Sequence, residues 1–184
     1  MSRSVGEALT GLRGRLTAAG IENPAREARL IVAAALGIGQ DRGSLMQPDA
    51  LPDRAEDQLS VMAARRCGRE PLSHILGLRA FYKHEFSVTS DVLAPRPETE
   101  VLVRAALAVP FERVMDLGTG SGCILLSLLA DRPEARGVGV DVSDAALAVA
   151  CENARRLDVS GRAALIRSNW FSEVSGVFDL IVSH

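Results

Sequence analysis

The sequence predicts an α/β protein: an N-terminal helical domain followed by part of an open, Rossmann-like parallel sheet. Three observations carry that prediction. Apolar residues repeat at helical spacing through residues 4–67. From Arg113 onward, apolar strand-like runs alternate with helical patterns. Between the first strand and its helix stands Val114-Met115-Asp116-Leu117-Gly118-Thr119-Gly120-Ser121-Gly122, with three glycines at alternate positions.

In chain order, Val5, Leu9, Leu12 and Leu16 form the stripe of a first helix that Gly20 ends. Pro24 opens a second, with Ala28, Ile31, Val32, Ala35 and Leu36 on one side and Gly37 after it. Asp41–Gln47 suits a short helix, and Pro52 starts another with Ala55, Leu59, Met62 and Ala63 inward. Residues 69–77 read as a short helical turn, and 81–88 as a strand or hairpin rich in aromatic and β-branched residues. Pro95 and Pro97 stiffen the next stretch. Thr99 or Glu98 then caps a helix carrying Val101, Leu102, Ala105 and Leu107. A helix over Cys123–Ala130 follows the glycines, then a strand ending at Asp141, a helix over Ser143–Leu157, a strand at Ala163–Arg167 and a last strand at Phe178–Ser183. The resulting division is 1–78 helical, 79–112 hairpin and proline-rich linker or lid, and 113–184 sheet domain.

Glycine is required where a strand turns sharply and a ligand touches backbone, because no Cβ blocks the approach. The following helix presents its free N–H groups at the same spot. This is the nucleotide end of an α/β sheet. Gly118 and Gly120 match the first two positions of the dinucleotide fingerprint, but Cys123 stands where its third glycine belongs. Asp116 before the loop and Asp141 at the end of the second strand strengthen the reading. A carboxylate at Asp141 can accept hydrogen bonds from both hydroxyls of an unphosphorylated ribose, and Ser143 and Asp144 leave it free of helix capping. Asn169 and Trp170, after the third strand, are placed to hydrogen-bond and stack on an adenine; an ordinary core aromatic is the competing reading of Trp170.

The net charge of −2 argues against a general nucleic-acid surface. Lys83 is the only lysine, which reads as codon usage. Cys67, Cys123 and Cys151 are too far apart for a zinc or disulfide framework, and His74 and His84 have no metal-ligand partner at useful spacing, so no metal is expected. No apolar run reaches membrane-spanning length and no signal-peptide pattern opens the chain; cytoplasm is the default.

R-E-P-L-S-H-I-L-G at 69–77, P-R-P-E-T-E at 95–100 and D-L-G-T-G-S-G-C-I at 116–124, with F-D-L-I-V-S at 178–183, resemble the bacterial HemK/PrmC family. The resemblance runs from residue 5 to residue 183. The glycine motif is shared by many methyltransferases, whereas the helical domain joined to P-R-P-E-T-E is far more specific. It implies a class I methyltransferase sheet that uses S-adenosylmethionine to methylate the side-chain amide of a glutamine in peptide chain release factors. These would be its protein partners, with no direct nucleic-acid contact and no membrane. It further implies that Gly118, Thr119, Gly120, Ser121 and Gly122 line the methionine part of the cofactor, that Asp141 binds the ribose, and that Trp170 lies beside the adenine. Asn169 stands where members often carry Asp.

The family continues from its fourth strand into Asn-Pro-Pro-Tyr, whose Asn side chain and proline carbonyl orient the substrate amide. Here His184 occupies the Asn position, so no catalytic residue is assigned. A neutral imidazole has one acceptor nitrogen. The expectation is an N-terminal portion of the family enzyme, whether by natural truncation, frameshift or deliberate cut, that keeps the cofactor half and is inactive alone. Its last strand would lie beside the first as an open apolar edge. Three other functions stay open: a non-catalytic cofactor-binding or docking module, a nicotinamide-dependent oxidoreductase, and a DNA amino-group methyltransferase. Cys123 counts against the oxidoreductase, and the lack of basic excess counts against the DNA enzyme.

Overall fold

A capping box starts the first helix. Ser4 Oγ accepts the Glu7 N–H at 3.2 Å, and the Glu7 carboxylate accepts the Ser4 N–H at 2.9 Å. In this computed structural model, which describes residues 3–38 and 50–184, that helix is α1, Val5–Ala18. It buries Val5, Ala8, Leu12 and Leu16, and stops at Gly20, whose φ is +67°. Pro24 occupies the first turn of α2, Pro24–Ala35, where its missing N–H costs nothing. The helix α3, Asp53–Cys67, carries acids in its first turn and Arg65 and Arg66 in its last, both favourable to the helix dipole. Arg66 reaches Glu27 of α2 through two hydrogen bonds of 2.5 and 3.1 Å. The short α4 is Leu72–Leu76. The helix expected at Asp41–Gln47 lies outside the described residues.

The residues cluster into two units, 1–76 and 77–184. Leu16, Ile31, Leu51 and Leu59 are central to the core of the first. The hairpin and the proline-rich stretch belong to the second.

The second unit opens with that hairpin, β1 (Leu78–Phe81) paired antiparallel to β2 (His84–Ser87). The sequence placed a strand or hairpin at 81–88; the pairing begins at Leu78, and Tyr82, at φ +54°, makes the two-residue turn with Lys83. Tyr82 Oη donates to Asp131 at 3.0 Å, and Lys83 pairs with the same carboxylate. Thr99 does not cap the next helix with its side chain. Pro97–Thr99 forms a 3-10 turn, Thr99 itself has helical dihedrals, and α5 runs Glu100–Leu107. The prolines set a tight turn instead of an extended cap.

Four parallel strands follow: β3 (Arg113–Leu117), β4 (Arg136–Asp141), β5 (Ala163–Arg167) and β6 (Leu180–Ser183), in the order β5-β4-β3-β6. β6 lies beside β3 with Met115 opposite Ile181. Asp179 Oδ2 starts that pairing by accepting the N–H groups of Glu112 and Arg113 at 2.9 and 2.8 Å. The helix α6 (Cys123–Asp131) is buried from Cys123 to Leu129 and forms the centre of the core with Phe81, Phe86, Val103 and Val114. The helix α7 (Asp144–Arg156) is capped by Ser143, which accepts the Ala146 N–H at 3.2 Å. Strand order reverses between β3 and β6, so a crevice opens at their carboxyl ends, where ligands bind in such sheets.

Gly139 lies at the middle of β4 with no room for a side chain. A Cβ there would stand 2.9 Å from both Leu165 Cδ2 and Thr119 Oγ1, and 3.0 Å from Leu125 Cδ2. Gly139→Val is expected to cost about 1–3 kcal/mol by overpacking, read as a lowered urea midpoint with an unchanged slope.

Candidate functional site

The crevice is a cavity of about 500 Å³, within the usual range for small-molecule sites. Its floor is the loop from β3 to α6: Gly118, Thr119, Gly120 and Ser121, with Cys123 and Ile124 of the helix. Asp141 and Ser143 close one side. The segment 91–96, Thr99 and His184 also line it.

The loop takes this shape because three glycines adopt left-handed φ: +70° at Gly118, +53° at Gly120 and +79° at Gly122. They do different things. A Cβ on Gly118 would meet nothing within 4 Å, and one on Gly120 only the Gly118 carbonyl at 4.0 Å, so both leave open backbone beside the cavity. A Cβ on Gly122 would strike Leu126 Cδ1 at 2.7 Å and crowd Ala150 Cβ at 3.3 Å. Gly122 does not line the cavity; it lets α6 and α7 close against the loop.

Asp141 is engaged on both oxygens by backbone. Oδ2 accepts the Gly120 N–H and Oδ1 the Ser143 N–H, each at 3.0 Å. Each carboxylate oxygen keeps a further lone pair for a ligand hydroxyl. The carboxylate is thereby fixed in direction before any ligand arrives.

Trp170 is not brought to the cavity. It is 62% exposed, with φ at +56°. Ser168 turns the loop after β5 by donating to the Trp170 carbonyl at 2.8 Å and accepting the Glu173 N–H at 3.1 Å, and this leaves the indole in solvent. His184 stands 3.5 Å from Thr99 Oγ1, the outer limit of a hydrogen bond. Among the described residues no cluster of His, Cys, Asp or Glu could hold a metal ion.

The structure gives Asp116 a buried place beneath the loop and adds Asn153, which the sequence did not single out. Asp116 lies under the loop, 1% exposed, with Oδ2 accepting Thr119 Oγ1 at 2.8 Å and Oδ1 buried without a hydrogen-bond partner. Burial, with a smaller contribution from the Asp141 charge, pushes its carboxyl up to about 7. Its position at the end of an apolar strand was a visible signal. Asn153 of α7 is fully buried and touches both the loop and β2; nothing in one sequence announces it. Cys123 faces the cavity but burial pushes its thiol up to about 12, so it is an inert neutral group there.

The raised Asp116 value sets a pH dependence. Below the ordinary value of 3.8 both folded and unfolded chains hold the proton, and between 3.8 and about 7 the folded chain alone does. The contribution of this group is therefore fully present at low pH and is lost as pH rises through about 7. Asp116→Asn removes that component: the difference in unfolding free energy between wild type and variant should slope between pH 4 and 7 and flatten above, measured by urea titration at fixed ionic strength. The glycines separate in the same assay. Gly122→Ala should cost about 1–3 kcal/mol from its forced φ and its clash. Gly118→Ala bears only the forced φ, about 1–2 kcal/mol.

The PrmC N-terminal domain matches residues 7–77, and the methyltransferase small domain matches residues 96–184. A release factor glutamine methyltransferase of Cereibacter sphaeroides is 49% identical over 97% of this chain and 64% of its own length. One from Rhodospirillum rubrum is 46% identical over 92% of this chain and 53% of its own length. This chain thus spans less than two thirds of the length of these relatives. Likeness to solved structures is partial: an S-adenosylmethionine-dependent methyltransferase from Thiobacillus denitrificans is 31% identical, with a TM-score of 0.41 over 48% of this chain and 36% of that one. This chain thus carries a PrmC N-terminal domain and a methyltransferase small domain, and over nearly its whole length it is similar to release factor glutamine methyltransferases.

Proposed function

We propose that residues 77–184 bind S-adenosylmethionine in the cavity at the carboxyl ends of β3 and β4. The protein would transfer the methyl group to the side-chain amide of a glutamine in a peptide chain release factor. The supporting observation is the charge of the cavity in a chain similar to these methyltransferases. Asp91 and Asp141 line it, and Arg96 is the one lysine or arginine among the lining residues described. S-adenosylmethionine sets a sulfonium and an ammonium against one carboxylate, and that net positive charge suits such a site; the diphosphate of a dinucleotide does not.

The cavity residues fit that cofactor. Open backbone at Gly118 and Gly120, with Thr119 and Ser121, would hold its methionine part. The two directed oxygens of Asp141 would accept the ribose hydroxyls. Trp170 is assigned the adenine by family resemblance alone, since its indole faces solvent. The bound cofactor supplies an electrophilic methyl carbon.

An amide nitrogen is a poor nucleophile because its lone pair is delocalised, so the enzyme's task is orientation and stabilisation of developing charge. His184 faces the cavity from the end of β6, where the family carries Asn. One imidazole acceptor cannot satisfy both hydrogens of a primary amide, and we assign no transfer step to a residue of this chain. Residues 1–76 are assigned recognition of the release factor, by their family match. No helix among the described residues is long and apolar enough to cross a membrane. We assign the protein to the cytoplasm, with no nucleic acid as direct partner.

Calorimetric titration of the chain with S-adenosylmethionine tests the reading. Saturable binding is expected, weakened about tenfold or more in Asp141→Asn, which keeps the size of the side chain but not its two acceptors. Binding of NAD in its place, or no binding by a chain with native circular dichroism, would overturn it.

A further inference from the structure

A single buried amide joins the glycine loop to the hairpin. Asn153 is 0% exposed and lies one turn beyond Ala150, the residue that meets Gly122. Its Oδ1 accepts the Ser87 N–H at 2.6 Å. Its Nδ2 donates to the Ser87 carbonyl at 3.0 Å and to the Ser121 carbonyl at 2.9 Å. Ser87 ends β2, and its other neighbour in the hairpin is Leu78 of β1. The side chain of Asn153 therefore acts on the free edge of β2 as a strand residue would, bonding both polar groups of one residue.

One anchored residue lies at the cavity and the other leads to it along the chain. Ser121 lines it. Ser87 leads into Val88 and Val92, which pack on Ala146 and Val149 of the same helix face, and then into the wall at 91–96. Four elements of polar backbone and apolar packing thus converge on one face of α7: Ala146 and Val149 hold the wall, Ala150 meets the loop glycine, and Asn153 bonds to the loop and the hairpin.

We infer that Asn153 is a positioning residue that couples the glycine loop to the hairpin, so that ligand binding at the loop is transmitted to β2 and the wall segment behind it. This rests on the cofactor reading above. An amide is required for the chemistry: one acceptor faces an N–H and two donors face carbonyls. Aspartate, of the same shape, keeps the acceptor but turns a second oxygen toward two carbonyl oxygens. Alanine leaves one N–H and two carbonyls without this partner beside a fully buried position.

The test compares wild type, Asn153→Asp, Asn153→Ala and Leu147→Ala by hydrogen exchange and by titration with S-adenosylhomocysteine. Leu147→Ala thins the packing of the same helix at a residue outside the cavity lining, and serves as the control for lost stability alone. In wild type, ligand is expected to slow exchange in both 116–126 and 84–92. In both Asn153 variants affinity should fall at least tenfold, with protection confined to 116–126, while Leu147→Ala keeps the wild-type affinity and the joint protection. Joint protection in the Asn153 variants, or affinity within twofold of wild type, overturns the coupling. If folded wild type binds no ligand, the cofactor reading fails and the clamp is read in the free chain. There, exchange at Ser87 should rise at least tenfold in Asn153→Ala relative to Leu147→Ala, and an unchanged rate overturns it.

Discussion

The structure depends on one constraint: the chain must pass from a buried central strand to a helix buried along seven residues within five residues, and leave no backbone polar group stranded. β3 and α6 are both core elements, and Gly118–Gly122 is all that separates them. Such a turn demands left-handed dihedrals, which only glycine adopts cheaply. It also demands hydrogen-bond partners from elsewhere, because a buried unpaired N–H or C=O costs as much as a lost hydrogen bond. Thr119 N–H goes to Val140, Gly120 N–H to Asp141, Gly122 N–H to the Thr119 carbonyl, and the Ser121 carbonyl to Asn153. The cavity is the space this turn leaves on its open side.

From that constraint follow the duties of the neighbours. β4 must run close enough to lend Val140 and Asp141, and its glycine at 139 permits that approach to Thr119 and Leu125. The helix α7 must present small residues toward the loop, and it does so with Ala146 and Ala150. Asp141 holds the loop by one oxygen and the entry to α7 by the other. The groups that shape the site are thus the groups that complete the fold, and a substitution at Asp141 or Asn153 perturbs both.

How much of this is legible in the sequence depends on the range of the interaction. Strand and helix order was readable from periodicity, and the glycine turn from its spacing, because each is local. The charge at Asp141 was readable because its distance from the loop is fixed by one strand-helix-strand unit. The separate duty of Gly122 was not, since it is set by Leu126 and by Ala150 of another helix. Trp170 was read toward the cavity from its position after β5, but Ser168 turns the local backbone and directs the indole outward. Asn153 was invisible: its partner Ser87 lies 66 residues away, and a lone Asn in an amphipathic helix carries no pattern.

The comparison with the dinucleotide fingerprint sharpens what the glycine run does. In G-x-G-x-x-G the third glycine permits close packing of helix on strand. Here Gly122 performs a packing duty one residue earlier, as the left-handed residue just before α6, and Cys123 is already helical and buried. The glycine spacing is shorter by one residue, with Gly118 and Gly120 leaving open backbone and Gly122 packing against α6 and α7. Asp141 Oδ2 accepts the Gly120 N–H, a backbone donor of the kind that binds phosphate at the nucleotide end of such sheets. A carboxylate on this donor would compete with a bound diphosphate, which agrees with the cofactor proposed above.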